Sequence, residues 1–234
     1  MTYLTFTNKD EQELLHLHFQ GIKKADKTAE VIYITPEQMN TPKGSLNLFG
    51  IDISQRGHNH FLKLLSCLKV LAENHGSTLI VSKSSVVFRS PIDKPLATGE
   101  CDYLGFMSNE NTCSMTSCFG INLTMIKNIM KWLEQPFYYD LFNRDPLETL
   151  QGLCHIVGNP ERIRIMQCVL PNQQNALVCQ FNGNHYSNIQ VLKSVILFVE
   201  CANIGHLKNY LTGRIPPIIP IKRAMSHCLH VWKK

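Results

Sequence analysis

The chain has 234 residues, 44% of them hydrophobic and 18% charged, which is enough apolar material for a full core and within the range of a single domain. Its nine cysteines, Cys67, Cys101, Cys113, Cys118, Cys154, Cys168, Cys179, Cys201 and Cys228, are odd in number and form no CxxC pair, which argues against a regular disulfide framework and suits free thiols in a reducing compartment. The net charge of +5 belongs to the end of the chain: Lys208, Arg214, Lys222, Arg223, Lys233 and Lys234 follow the last acid, Glu200, so residues 1–200 hold 17 of the 23 basic side chains against all 18 acidic ones.

Tyr3 to Thr7 is β-branched and aromatic and reads as a strand ending at Asn8. Asp10, Glu11 and Glu13 then sit where carboxylates favour the positive end of a helix, and Leu14, Leu15, His18, Phe19 and Ile22 recur along one face of it. Val31 to Thr35, closed by Pro36, is a short apolar run expected of a strand covered on both sides, which completes a βαβ unit. Residues 36–57, rich in Pro, Gly, Asn and Thr, are expected to form a long loop. Phe61, Leu64, Leu65, Leu68 and Leu71 mark the buried face of a second helix that His75 and Gly76 end before a strand at Thr78 to Val81. Further strands are expected at Val86 to Phe88, Tyr103 to Phe106, Phe119 to Leu123, Ile163 to Met166 and Val195 to Val199, with helices at Met125 to Glu134 and Leu147 to Val157. Strands alternating with helices predict an α/β domain with a mixed, mostly parallel sheet and helices on both faces. That domain is expected to span residues 1–205, with residues 206–234 as a basic tail packed on it or extending from it.

The segment from Phe61 to Asp102 carries the functional reading. A helix leads into the apolar strand Leu79-Ile80-Val81, the turn Ser82-Lys83-Ser84-Ser85 follows, and then Val86-Val87-Phe88-Arg89-Ser90-Pro91. Ligands of open α/β sheets bind beyond the carboxyl ends of strands, where Ser82 to Ser85 would lie. This order of parts resembles the GT-A class of glycosyltransferases, in which such a strand ends in an Asp-x-Asp motif whose carboxylates hold a divalent metal on the diphosphate of a nucleotide sugar. Hard oxygen ligands suit that ion, and its charge stabilises the departing nucleotide. Here serines stand in both acidic places, Ser82 and Ser84, or Ser84 and Ser85 if the register slips, with Lys83 between the first pair.

The resemblance extends over roughly residues 1–200. Asp102 to Phe106 looks like the strand after the Asp-x-Asp segment. Cys118 to Leu123 and the helix from Met125 to Trp132 are similar to the acceptor-side element, which implies that Asn122 binds acceptor. Asp145-Pro146-Leu147-Glu148 is similar to the acidic pair opening a later helix, which implies a base or acceptor-binding role for Asp145 or Glu148. The place of a third, histidine metal ligand falls in Val195 to Asn203, where there is none; Glu200 and His206 are the nearest replacements. The resemblance thus implies a single Rossmann-like GT-A domain without its metal ligands and with no cofactor. Its partners would be a nucleotide sugar and a saccharide or lipid-linked acceptor, and Lys83 would stand opposite the diphosphate in place of the cation.

Each of these residues also has a local reading. Serines favour turns by bonding nearby backbone, Asp145 and Glu148 suit the first turn of a helix, and an Asn closing a strand suits turn chemistry. His227-Cys228-Leu229-His230 lacks the second ligand pair that a zinc finger needs. Ile215 to Ile221, with Lys222, Arg223, Trp232, Lys233 and Lys234, would suit an anionic membrane surface, whereas no aromatic RNA-binding motif supports nucleic acid. The opening residues lack the basic and apolar runs of a signal peptide, so the expected location is cytoplasmic, with peripheral contact to the inner face of a membrane as the role of residues 215–234. A GT-A-like protein that binds without turnover, and an adaptor acting through the tail, stand as the competing functions.

Overall fold

The structure is a computed structural model and describes residues 1–7, 11–35, 40–49, 51–88, 92, 94–107, 118–136, 139–167, 178–181 and 198–201. Residues 108–117, the first part of the strand expected from Val195 and the basic tail lie outside the described residues. In chain order the elements are β1 (Thr2–Phe6), α1 (Gln12–Ala25), β2 (Glu30–Thr35), β3 (Leu46–Phe49), α2 (His58–Asn74), β4 (Thr78–Lys83), β5 (Val86–Phe88) and α3 (Lys94–Ala97). These are followed by β6 (Tyr103–Met107), β7 (Cys118–Asn122), α4 (Leu123–Trp132), α5 (Pro146–Val157), β8 (Ile163–Gln167), β9 (Val178–Phe181) and β10 (Phe198–Cys201).

Seven strands form one sheet in the order β3-β2-β1-β4-β7-β6-β8. Six run in one direction; β7 alone is antiparallel, to β4 on one side and β6 on the other. A smaller sheet, β5-β10-β9, stands apart. Because side chains alternate across a strand, the central strands feed two cores. Leu4, Phe6, Ile32, Ile34, Leu79 and Val81 pack with α2, α4 and α5, while Tyr3, Val31, Tyr33 and Ile80 pack with α1, β5 and Leu96 of α3. Helices therefore cover both faces, as the alternation of elements predicts.

The expectation of a structureless loop over 36–57 is corrected by β3, which pairs in parallel with β2. Four residues at a sheet edge, preceded by Pro42 and Gly44 and interrupted by Asn47, carry too little periodicity to stand out from loop composition. Among the described residues no helix is long and apolar enough to cross a membrane.

Gly21 sets how closely α1 lies on β5. A Cβ there would meet Val87 Cγ1 at 2.8 Å and the Phe88 backbone nitrogen and oxygen at 3.2 and 3.3 Å. Alanine at an open helix position gains roughly 1 kcal/mol over glycine, whereas overpacking costs about 1–3 kcal/mol, so the clash wins. We expect Gly21→Ala to lower stability by about 1 kcal/mol in denaturant unfolding, where propensity alone predicts a gain.

Candidate functional site

Strand order places the crevice. From β1 the chain goes outward to β2 and β3 on one side and then returns to β4 on the other, so β1 and β4 flank the point where the order reverses. Beyond their carboxyl ends the outgoing connections diverge and leave room for a ligand. Thr5 and Phe6 at the end of β1 lie in register with Ser82 and Lys83 at the end of β4. The Ser82 to Ser85 turn therefore stands at the carboxyl edge, beside the start of α1.

Beneath the turn lies a closed polar network. The His18 ring is fully buried and faces Val86 through Nδ1 and Thr5 through Nε2, the latter at 2.6 Å from Thr5 Oγ1. A carbonyl oxygen only accepts, so Nδ1 carries the proton and donates to Val86, while Nε2 accepts the Thr5 hydroxyl. Burial pulls the His18 pKa down to about 4, which keeps the imidazole neutral at pH 7. The Ser82 hydroxyl, 1% exposed, sits 3.4 Å from both Thr5 Oγ1 and His18 Nε2.

Ser84 is also fully buried, and its hydroxyl donates to the carboxylate of Glu11, the residue before α1. Its backbone N–H donates to the Phe6 carbonyl at 3.2 Å. Lys83 and Ser85, between and after these buried serines, are half-buried. The four turn residues are therefore brought together in space but not on one face.

A divalent ion, which the fold class implies for this position, does not fit these residues. The Ser82 and Ser84 side chains are neutral hydroxyls, one placed within a network with Thr5 and His18 and the other spent as a donor to Glu11. Hard cations take oxygen ligands that include carboxylates. Among the described residues no group of three or more His, Cys, Asp or Glu side chains is placed to share a metal.

Asp145 and Glu148 reach the same edge by another route. Helix α2 ends near the start of β1, where Thr2 donates to the His75 carbonyl at 2.9 Å, so its first turn points to the carboxyl edge. There Gly57 donates to Phe142 at 2.9 Å, and the Phe142 ring packs on His58 and Phe61. Phe142 precedes α5, whose N-cap is Asp145: its Oδ1 accepts from Leu147 and Glu148 N–H at 2.9 and 3.2 Å. Glu148 is exposed and pairs with Arg144 at 3.7 Å. Helix α5 thus aims its N-terminus at the edge that carries the serine turn.

Asn122 lies at the other edge. Because β7 runs against β4, its last residue pairs with the first of β4, Asn122 with Thr78, while Cys118 pairs with Ser82. Four residues of strand, roughly 13 Å at the usual rise, separate Asn122 from the serine turn. Its amide is engaged: Oδ1 caps α4 by accepting from Met125 N–H at 2.9 Å, and Nδ2 donates to Asp102 at 2.6 Å. Asp102 also receives Arg162 Nε and Nη2, each at 2.7 Å, which holds its carboxyl below the usual range.

The fold is GT-A-like: a mostly parallel sheet with helices on both faces, whose carboxyl edge carries the turn Ser82 to Ser85. Among solved structures that share the fold is a glycosyltransferase involved in the glycosylation of the major capsid of PBCV-1. It has a TM-score of 0.51 and 12% identity, covering 91% of this chain and 100% of that one. An active-site mutant of LgtC has a TM-score of 0.52 and 10% identity, covering 96% of this chain and 99% of that one. Identity this low establishes the fold alone. No protein-family model matches the sequence, and no curated protein matches it.

Two residues at the site escape the sequence reading. Glu11 and His18 both have a sufficient local explanation there, as a first-turn acid and as part of an apolar face. Their partners lie 73 and 68 residues away, in Ser84 and Val86, and no spacing rule points to them.

Proposed function

We propose that this chain binds a nucleotide sugar at the carboxyl ends of β1 and β4 and transfers the sugar to a saccharide or lipid-linked acceptor without a divalent metal. The observation that carries the reading is Lys83: a half-buried cation at the carboxyl edge of a GT-A sheet, without an ion-pair partner among the described residues. Its ammonium would stand opposite the donor diphosphate and stabilise the charge that grows on the departing nucleotide, with the Ser85 hydroxyl as a further donor. Asp145 and Glu148 are acids of the same edge, and in this reading the solvent-exposed Glu148 takes the acceptor proton. Asn122, at the opposite edge, is assigned to helix capping in this reading.

A second reading, binding without turnover, is favoured by one observation: Asp145 is spent as a helix cap and Glu148 is paired with Arg144. Screening UDP-, GDP-, CMP- and dTDP-sugars by thermal stabilisation tests the first step common to both. At least one donor is expected to raise the unfolding temperature, and a flat response across the panel would remove both readings. Hydrolysis and transfer assays with and without Mn²⁺ then separate them. Turnover that persists in a chelator supports the transferase, and binding without any turnover supports the second reading.

A further inference from the structure

The segment from Ser82 to Val86 is held at every second residue. Ser82 lies in the Thr5 and His18 network, and Ser84 is bonded through its hydroxyl to Glu11 and through its N–H to Phe6. The Val86 carbonyl receives His18 Nδ1–H. All of these partners belong to β1, to α1 or to Glu11 just before it, so the pins come from one side. Side chains at 82, 84 and 86 are buried, and those at 83 and 85 are half-buried. Within β4 successive residues alternate sides, so Ser82, held on the α1 side, turns Lys83 to the other; Ser84 and Ser85 form the turn into β5, where the Glu11 and Phe6 contacts fix Ser84.

We propose that Glu11 is a positioning residue which, with His18, clamps residues 82–86 onto α1 so that Lys83 and Ser85 are the side chains presented to a bound diphosphate. Glu11 acts through Ser84 and does not touch the ligand. This inference rests on the nucleotide-sugar reading above for the identity of the ligand, but the clamp itself does not. A hydroxyl donating to a carboxylate is a charge-assisted bond, stronger than a neutral one and directional enough to set the turn. The same contact explains why serine suits position 84. A carboxylate there would face that of Glu11 in a buried place, where like charges oppose each other.

The clamp is tested on the full chain by measuring two things in the wild type, Glu11→Ala, Glu11→Gln, Ser84→Ala and the double variant E11A/S84A. One is acetic anhydride labelling of Lys83, read by mass spectrometry; the other is affinity for the best donor of the panel. Freed from its pin, Lys83 is expected to label severalfold faster in Glu11→Ala and Ser84→Ala, with no further change in the double variant. Glu11→Gln, which keeps an acceptor oxygen, is expected to restore much of the protection. Donor affinity is expected to fall about tenfold in Glu11→Ala, the worth of one charge-assisted hydrogen bond. In a Lys83→Met background the same change is expected to cost much less, only what Ser85 contributes. Unchanged labelling of Lys83 in a folded Glu11→Ala protein would overturn the clamp whether or not a donor binds. An equal loss of affinity with and without Lys83 would also overturn it, because Glu11 would then act on the ligand directly or on the fold as a whole. Faster labelling in a protein that binds no nucleotide sugar would leave the clamp standing and remove only the ligand assigned to it.

Discussion

Asp102→Ala is expected to destabilise the protein by about 2–3 kcal/mol, read as a shift of the denaturant midpoint without a change of slope. Asp102 is 5% exposed, and its carboxylate accepts from Arg162 Nε and Nη2 and from Asn122 Nδ2. Its own backbone joins the same place: its N–H donates to the Arg162 carbonyl at 2.8 Å, and its carbonyl accepts from Asn122 N–H at 3.1 Å. The carboxylate thus ties the entry to β6, the end of β7 and the entry to β8. Removing it leaves the half-buried Asn122 donor without its acceptor, a cost that solvent meets only in part. Arg162 is 42% exposed and regains water, so the loss stays at the lower end for a broken buried bridge. Asp102→Asn, which keeps one acceptor, is expected to fall between. A loss below about 0.5 kcal/mol would place this contact among ordinary surface ion pairs.

Acid is expected to weaken the fold in a window that His18 defines. The folded protein holds this ring neutral, with a pKa of about 4 against 6.5 for the free side chain. Between those values the unfolded chain binds the extra proton and the folded one does not, so stability rises with pH. The contribution is complete above about pH 6.5 and is lost as pH falls toward 4, for a total of about 3 kcal/mol at 1.36 kcal/mol per unit. His155, whose pKa partial burial also lowers, adds in the same direction. Asp102, held below the usual carboxylate range, acts at lower pH, so the two effects separate. His18→Gln keeps a donor for Val86 and an acceptor for Thr5 but does not titrate. Its unfolding free energy is expected to change much less between pH 6.5 and 4.5 than that of the wild type. Parallel pH profiles for the two proteins would contradict the role given to His18.

Much of the fold was legible because most elements carry a strong period. The Leu14 to Ile22 and Phe61 to Leu71 faces, the runs at Val31 and Thr78, and the β1-α1-β2 order follow from side-chain spacing alone. What the residues do not carry is direction. Nothing in Cys118 to Asn122 says that this strand runs against its neighbours, yet that reversal puts Asn122 at the edge away from the serine turn. The site was legible to the same depth. Ser82 to Ser85 reads as one polar group in sequence, but Ser82 and Ser84 are buried while Lys83 and Ser85 are half-buried. The partners responsible, Glu11 and His18, reach the turn only through tertiary contact.

The hydroxyls of Ser82 and Ser84 belong to a buried network under α1 that carboxylates would charge, and in the proposed function Lys83 is the cation of the turn. The most direct measurement is a calorimetric titration, in a chelator, of wild type and Lys83→Met with the donor that stabilises the protein best. The wild type is expected to bind without metal, and the substitution to weaken binding about 10- to 100-fold, the worth of one charged contact. Equal affinity in the two proteins, or binding that appears only when Mn²⁺ is supplied, would contradict the proposed function.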